Sequence, residues 1–558
     1  MAELWRNFWQ DKYRVGLAVL LLAVFLFHLP GLFYAFPLKN LVGDEVTAMS
    51  AIFKMLNDRS LRPDYPSFYH LPVIAYAQLP FYLCLLVFLR LSGLFSSLAE
   101  LKDFVVLNYG SLLPFTRLLS AIFATGAVGM IYAVARKIFQ SRRAALWASF
   151  FLGFNFMFFQ VSHFGRAWAL QILILLAAVY FYLLFFEKKE PRWQDYFWVS
   201  FFTALSFGVH LIGAFVYLVF LALFISHYGR QIFNWRAPQF KKFWLLQFSF
   251  LLWAGLFYWL NPSGFLIYFQ QSGLEKTDAA LNWTLGDNLS FYGQIFLTYD
   301  WLLAILVLPA IIWFWRRFQP LAISFLTLII VWVGSISYIM HSEPRFIVAL
   351  MPFLILPASG LLDKAGNYLK NAWLRRVFGA AVILAMLYLP ILWSVKTIQP
   401  NTLVLARQWA MSALPPDAKI LTNDAYLGLP ENQAAAEVMS ATKEKWDNLE
   451  RQMILAKKPE ELSQPRFFVL TAGQWVNLEN YEMLEPVSFD YLILSFWNPE
   501  EQAETYQDFP IEKKLAASFY PTDKVEELTD LANNLLNPFS TLNKIKMSGP
   551  YVEIYRLK

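Results

Sequence analysis

The sequence predicts a polytopic α-helical membrane protein that carries a soluble α/β domain at its C-terminal end. Of the 558 residues, 58% are hydrophobic and only 15% are charged, and the mean hydropathy is +0.43. A soluble chain of this length has a lower apolar fraction. Apolar stretches of about 20 residues, the length that crosses a bilayer, recur up to Lys396 and stop there.

The first apolar stretch, residues 16–36, follows a short basic leader with Arg6, Lys12 and Arg14. A signal peptide has a shorter apolar core and a small-residue cleavage site, so we expect an uncleaved anchor whose N-terminus stays in the cytoplasm. Further spans are predicted at 113–135, 144–161, 167–186, 195–209, 211–228, 243–260, 300–315, 320–339, 346–362 and 377–395.

The run from Pro72 to Leu94 decides the orientation of every later loop. If it crosses the membrane, the basic stretch RKIFQSRR (136–143) lies outside, whereas if it lies along the interface this stretch and the later basic loops are cytoplasmic, as the positive-inside rule prefers. We therefore predict about eleven spans, with this run as a juxtamembrane element. The external side then holds Asp44, Glu45, His70, His163, Arg166, His341, Glu343 and Arg345.

The chain beyond Lys396 differs in character. The predicted membrane domain, 1–396, includes an external loop at 37–112, and the tail, 397–558, is acidic and contains no stretch apolar enough to span. A helix-like segment, TLVLARQWAMSAL, precedes strand-like segments such as AKILTND and DYLILSF, which predicts a small α/β domain. The number of spans places this domain outside the cytoplasm.

Asp44 and Glu45 follow the first span directly, and two interpretations are open. Acidic residues favour the first turn of a helix, and the amphipathic stretch VTAMSAIFKML follows them. Alternatively, one carboxylate is a general base for an acceptor hydroxyl or amine. A proline-broken, aromatic-rich loop containing His70 comes next, which favours the functional interpretation.

Arg166 and Arg345 each lie at the outer mouth of a predicted span. A single arginine at such a place often only extends to the lipid headgroups, but two arginines with a carboxylate pair predict a cationic seat for a phosphate beside a base. Arginine binds phosphate through a planar fork and stabilises the charge of a departing phosphate. Further substrate contacts are predicted for Tyr69, His70, His163, His210, His341 and Glu343.

Other chemistries have weaker support. The histidines are scattered singly and Cys84 is the sole cysteine, so we predict no protein-built metal site, although the sequence leaves open whether Mg²⁺ or Mn²⁺ assists at Asp44 and Glu45. Asp300, which opens a span, is predicted to cap that helix. Basic loops facing anionic lipid explain the net charge of +6 without nucleic acid.

Five segments carry a family resemblance. In order along the chain they are GDE (43–45), YHLPVIAY (69–76), RLLSAIFATGAVGMIYAVARKIF (117–139), SHFGRAWALQILILLAAVYFYLLF (162–185) and PRFIVALMPFLILPASGLL (344–362). These segments resemble membrane glycosyltransferases of the GT-C superfamily, in the branch of protein O-mannosyltransferases and the lipid A aminoarabinose transferase. The resemblance extends over about the first 365 residues.

The resemblance implies a GT-C fold, a polyprenyl-phosphate sugar as donor and inverting transfer on the external face of a membrane, expected to be the bacterial plasma membrane. It assigns the acidic motif to Asp44 and Glu45 and a phosphate contact to Arg345, with Arg166 as a second match. Protein mannosyltransferases carry a His-Pro-Pro-Leu-like stretch where this chain has HLPV, so the acceptor, whether lipid, protein or glycan, stays open.

Two other function classes are considered. A transporter or flippase for a lipid-linked or amphipathic solute is the main alternative, but such proteins often have inverted repeats and charged residues in mid-span. Here the spans are largely free of charge and no repeat is visible. A polymerase or ligase of surface polysaccharide differs in acceptor more than in chemistry. A flux assay distinguishes transport from transfer.

Overall fold

The structure is a computed structural model that describes residues 11–39, 41–42, 44–64, 72–264, 266, 284–339, 343–441, 449–463, 465–471, 489–508, 512–532 and 535–557. The chain divides into two compact units. The helical unit comprises Met1–Leu32, Thr47–Tyr82 and Thr116–Ile391. The sheet unit comprises Phe33–Val46, Leu83–Phe115 and Leu392–Lys558.

Within the described residues, 9 helices are long and apolar enough to cross a membrane, or up to 11 if each of two bent helix pairs is one span. The predicted class, a polytopic helical membrane protein, is thereby confirmed. The helices are Lys12–Phe33, Val73–Leu91, Tyr109–Phe139, Trp168–Glu187, Leu211–Phe233, Pro238–Leu260, Gln319–Ser337, Pro344–Tyr368 and Ala372–Ile398. The bent pairs are Arg142–Phe154 with Phe156–Ser162 and Leu285–Tyr299 with Trp301–Arg317.

Two helices differ from the sequence prediction, one because it is short for a span and the other because it is long and apolar enough to be one. The helix Trp193–Val209, predicted as a span, has 17 residues, which at about 1.5 Å per residue is short for an apolar core of about 30 Å. The helix Val73–Leu91, predicted to lie along the membrane, has 19 residues and is apolar enough to cross it. Its orientation stays a prediction, since length and composition do not determine it.

Shorter helices connect or flank these segments. In the helical unit they are Thr47–Asn57 and the 3-10 turns Pro30–Phe33, Leu211–Phe215, Gly229–Phe233 and Pro344–Leu350. In the sheet unit they are Leu98–Leu107, Thr402–Ala413, Gln433–Ala441, Leu449–Ala456, Pro499–Asp508 and Pro538–Lys544.

Asp300 joins the bends of both helix pairs. Leu285–Tyr299 and Trp301–Arg317 meet at 110° around Asp300, and the other pair bends by 56° at Asn155. The Asp300 carboxylate does not cap its own helix as predicted; it accepts the backbone N–H of Phe156 at 3.0 Å. A broken helix leaves its first N–H groups without intrahelical partners, and this buried carboxylate supplies one.

Close packing in the helical unit depends on a glycine at position 360. A Cβ there would lie 2.6 Å from the Trp313 ring and 2.7 Å from the Phe139 ring. Such distances are shorter than any normal carbon contact, so two aromatic rings can pack against the helix Met351–Tyr368 only because this position has no side chain.

The sheet unit is built around five strands in the order β2-β1-β3-β5-β4. They are β1 (Lys419–Thr422), β2 (Phe468–Thr471), β3 (Tyr491–Phe496), β4 (Lys513–Phe519) and β5 (Tyr551–Leu557). The first three are parallel, with Leu421 opposite both Leu470 and Leu492, and β5 is antiparallel to β3 and β4. The leucines of these strands form an apolar core with Met439, which agrees with the predicted α/β domain.

A buried carboxylate ties β4, β5 and the helix Pro499–Asp508 together. Glu553 is 3% exposed and accepts hydrogen bonds from the hydroxyl groups of Tyr506, Tyr520 and Tyr555. The pKa of Tyr520 and the pKa of Tyr555 are both raised. Burial is the larger cause, and the hydrogen bond to Glu553 is the next. The phenols therefore stay protonated and remain donors, which satisfies a charge that would be costly to bury alone.

We predict that Gly360→Ala lowers the free energy of unfolding by about 1–3 kcal/mol, because a methyl group is forced against two rings that pack against each other and against Phe318. Thermal unfolding of the purified protein measures the effect. Gly255→Ala is the matched control, since a Cβ at Gly255 meets nothing within 4 Å. Equal unfolding temperatures for the two variants would contradict the packing account.

Candidate functional site

The acidic motif lies in a turn that precedes a helix. The helix Thr47–Asn57 begins after Asp44 and Glu45 and has no acidic residue in its first turn. Asp44 has a φ of 71°, in the left-handed region that Asp and Asn tolerate better than most other residues. Glu45 is 1% exposed, and its N–H donates to the Val42 carbonyl at 3.3 Å. The first-turn interpretation therefore does not describe this motif.

The segment before the motif is anchored within the sheet unit. Leu38, Leu41 and Val42 are buried. The Lys39 ammonium donates to the Leu107 carbonyl at 3.1 Å and forms an ion pair with Glu450. Both apolar burial and charge therefore hold the chain that leads into Asp44.

A second ion pair reaches the neighbouring helix. Lys457, directly after the helix Leu449–Ala456, pairs with Asp103 on the helix Leu98–Leu107. Leu107, at the end of that helix, packs against the apolar cluster of Ala436, Ile454 and Leu462. The segment Glu450–Lys457 thus contacts the chain before the acidic motif through Lys39 and the helix Leu98–Leu107 through Asp103. Lys39 also donates to the last residue of that helix.

Both pairs are partly shielded from solvent, with side-chain exposures of 22% and 23% for Lys39 and Glu450 and of 20% and 36% for Lys457 and Asp103. Partial burial reduces screening, so these pairs stabilise more than fully exposed ones. Glu450 and Lys457, which are far along the sequence, therefore hold the chain before the acidic motif and the helix Leu98–Leu107.

In the helical unit, aromatic rings from two other predicted site segments lie against Trp168. Arg166, two residues before it, is 4% exposed. The Trp168 ring lies 4.8 Å from the His210 ring and 6.2 Å from the Phe346 ring. We call Arg166, Trp168, His210, Arg345 and Phe346 the tryptophan cluster. The segments near positions 166, 210 and 345, which were predicted separately from the sequence, are therefore neighbours in the fold.

Glu343 and Arg345 form an ion pair in this cluster. The Arg345 guanidinium pairs through Nε with the Glu343 carboxylate, and both side chains are largely buried. Trp332 Nε1 donates to the carbonyl of Phe346 at 3.0 Å, which fixes the turn Pro344–Leu350 that carries the arginine. The pair gives Arg345 a defined orientation, as a positioned anion ligand requires.

His163 is part of a different arrangement. Its ring stacks on that of His28 with 4.2 Å between the centroids, and its two nitrogens lie 2.6 Å from the Phe159 carbonyl and 3.1 Å from the Phe27 carbonyl. His28 in turn contacts Ser162 Oγ at 2.8 Å. This geometry gives His163 a role in helix packing, and the predicted substrate contact stays a prediction.

Arg117 is a buried arginine that the sequence interpretation missed. It is 2% exposed, donates to the Leu32 carbonyl at 3.1 Å and lies 5.8 Å from the Phe164 ring, two residues from Arg166. The sequence could have indicated this residue, because position 117 falls inside a predicted span. A charged side chain there costs free energy of insertion and is usually functional.

Three predicted substrate residues, Tyr69, His70 and His341, lie outside the described residues. Asp44 and Glu45 belong to the sheet unit, whereas Arg166, His210, Glu343 and Arg345 belong to the helical unit. Within the described ranges, no group of three or more His, Cys, Asp or Glu side chains could hold a metal ion. Participation of Mg²⁺ or Mn²⁺ stays untested.

Comparison with protein families gives one match. Residues 110–259 match the family model of dolichyl-phosphate-mannose-protein mannosyltransferase. The matched stretch contains Arg117, His163, Arg166 and His210. The match confirms the predicted resemblance to the GT-C superfamily, in the branch that includes protein O-mannosyltransferases, and it supports a glycosyltransferase. No curated protein matches the chain significantly.

Solved structures are similar over most of the chain. The apo structure of ArnT from Cupriavidus metallidurans has a TM-score of 0.49 and 13% identity, over 90% of this chain and 96% of that one. ArnT bound to undecaprenyl phosphate has a TM-score of 0.49 and 13% identity, over 96% and 97%. The apo Archaeoglobus fulgidus oligosaccharyltransferase has a TM-score of 0.48 and 13% identity, over 87% and 70%.

We predict that Asp103→Lys and Lys457→Asp each lower the free energy of unfolding by about 1–2 kcal/mol, and that the double variant restores most of the loss, because a partly shielded charge without its partner is costly. Thermal unfolding gives the coupling energy, and hydrogen exchange in residues 98–107 reports the local effect.

The control for this cycle is the exposed pair Lys546–Asp523, whose side chains are 60% and 81% exposed. Reversing that pair should change stability very little, since solvent screens it. Additive single effects at Asp103 and Lys457, with no rescue in the double variant, would contradict the anchoring role.

Proposed function

We propose that the protein transfers a sugar from a polyprenyl-phosphate-linked donor to an acceptor on the external face of the membrane. The observation that carries the proposal is the mannosyltransferase-family match at residues 110–259, which contains Arg166 and His210 of the tryptophan cluster. The family's name specifies a lipid-phosphate sugar, and a buried arginine such as Arg166 is suited to bind the phosphate of such a donor.

Arg166 and Arg345 are the proposed phosphate ligands, and Arg117 adds a third cation to the same unit. Arg345 is already oriented by Glu343, so little conformational entropy is lost when it binds an anion. As the bond between sugar and phosphate breaks, negative charge grows on the phosphate oxygens. Fixed guanidinium groups in an apolar surrounding stabilise that charge more than water does.

Asp44 is the proposed general base, which takes the proton of the attacking acceptor hydroxyl or amine. Its left-handed backbone conformation and its anchored flanking chain support a fixed position for the carboxylate. Glu45 is almost fully buried, which suits a role in holding the turn or assisting Asp44. His210 and Glu343 are proposed to contact the substrate, directly or through Arg345.

A single displacement is the simplest chemistry for these groups. With Asp44 as the base and no second protein nucleophile assigned, the acceptor oxygen or nitrogen bonds to the anomeric carbon as the phosphate leaves with its bonding electron pair. Attack from the side opposite the phosphate inverts the anomeric configuration. The products are a glycosylated lipid, protein or glycan and free polyprenyl phosphate.

We predict that Asp44→Asn reduces the turnover number for transfer by about 10²- to 10⁴-fold, because the amide cannot accept the proton. Asn tolerates the same left-handed backbone, so folding is retained. Quantifying glycosylated acceptor at saturating donor measures the effect. Asp58→Asn, the same change at an exposed residue, is the control, and turnover of Asp44→Asn equal to that of the control would overturn the base assignment.

We predict that Arg345→Lys raises the apparent KM for the donor by about tenfold, since an ammonium keeps the charge but loses the planar fork that binds two phosphate oxygens. Initial rates at varied donor concentration separate KM from the turnover number. Arg316→Lys, at an exposed helix end, serves as the control. An unchanged KM would exclude Arg345 as a phosphate ligand.

A further inference from the structure

A cavity of about 300 Å³ lies between three helices of the helical unit, at the ends that carry basic loops. The helices are Arg142–Phe154, Met351–Tyr368 and the start of Ala372–Ile398. The cavity is lined by Arg143, Trp147, Leu362, Gly366, Arg375, Phe378 and Gly379. None of these residues has a part in the proposed transfer reaction.

The two arginines of the cavity differ in their partners. Arg143 is held by Asp363, 3.3 Å from its Nε, and by the Asn367 side-chain oxygen, 3.0 Å from Nη1. Asp363 also accepts from Ser141 Oγ at 2.8 Å, so its carboxylate is shared. Arg375 has no side-chain hydrogen bond or ion pair within the described ranges. One cation is therefore fixed and partly neutralised, and the other keeps its full charge.

Two glycines make room beside these charges. A Cβ at Gly366 would lie 1.6 Å from Arg143 Nη2, so the guanidinium lies directly against the helix backbone there. A Cβ at Gly379 would meet nothing within 4 Å, so this side of the cavity is open space. The remaining lining, Trp147, Leu362 and Phe378, is apolar.

We infer that this cavity binds an anionic diacyl phospholipid. Its headgroup phosphodiester contacts Arg375 and Arg143, and the part of an acyl chain nearest the headgroup packs against Trp147 and Phe378. Charge favours an anionic ligand, because Arg142, Lys364, Lys370 and Arg376 lie close in sequence to residues that line the cavity. Basic pockets between membrane helices are suited to lipid phosphates, and the apolar wall requires a ligand that also has hydrocarbon chains. The inference does not depend on the proposed transferase activity.

Native mass spectrometry of the purified protein tests the site with three probes: phosphatidylglycerol, phosphatidylcholine and glycerol 3-phosphate. We expect one phosphatidylglycerol retained in preference to phosphatidylcholine, and no retention of glycerol 3-phosphate. Arg375→Gln should weaken phosphatidylglycerol retention by about tenfold, the factor for loss of a charge-assisted contact. Arg376→Gln, the same charge change next to the cavity, should retain the lipid.

A second variant tests the cavity without changing charge. Gly379→Leu should fill the open space and displace the lipid, whereas Gly334→Leu, also at a glycine with nothing within 4 Å, should not. Equal losses in Arg375→Gln and Arg376→Gln would overturn the site in favour of diffuse attraction. Equal binding of phosphatidylcholine, retention of glycerol 3-phosphate, or full retention by Gly379→Leu would also overturn it.

Discussion

Arg117 and Arg166 are almost fully buried in a unit built from apolar helices. The burial of these two charges limits which groups can pack next to them. A guanidinium in such a place needs hydrogen-bond acceptors and aromatic faces, and the structure supplies the Leu32 carbonyl and the Phe164 ring for Arg117. Burying two cations costs free energy of folding, and this cost supports the proposal that they serve to bind an anionic ligand. A lipid-linked phosphate has that chemistry.

The sheet unit addresses a different requirement, which is to hold an acidic turn in one conformation. Asp44 has a positive φ, and a turn of this kind persists only when its neighbours restrain it. The ion pair of Lys39 with Glu450 restrains the chain just before that turn, and the pair of Asp103 with Lys457 holds the helix to whose last residue Lys39 donates. The sheet unit therefore restrains the chain that leads into the acidic motif, which links a region without predicted chemistry to the proposed base.

Much of this could be predicted from sequence, because span length and charge asymmetry follow directly from the bilayer. The class and most of the apolar helices were predicted correctly on that basis, and the α/β tail was predicted from its helix-like and strand-like segments. Pairings between distant residues could not be predicted. Lys39 and Glu450 are 411 positions apart. The hydrogen bond from the Phe156 N–H to Asp300 depends on two helix bends that no local sequence pattern encodes. Arg117 was overlooked although a charge within a span was visible, and Tyr69, His70 and His341 stay predictions.

The most direct test of the central claim is the release of free polyprenyl phosphate by purified protein from a panel of polyprenyl-phosphate sugars, with and without candidate acceptors. The account predicts release from at least one donor, accelerated by an acceptor and accompanied by a glycosylated product of inverted configuration. Folded protein that releases no polyprenyl phosphate from any donor, yet moves a lipid-linked sugar across liposome membranes, would contradict the account and establish transport instead.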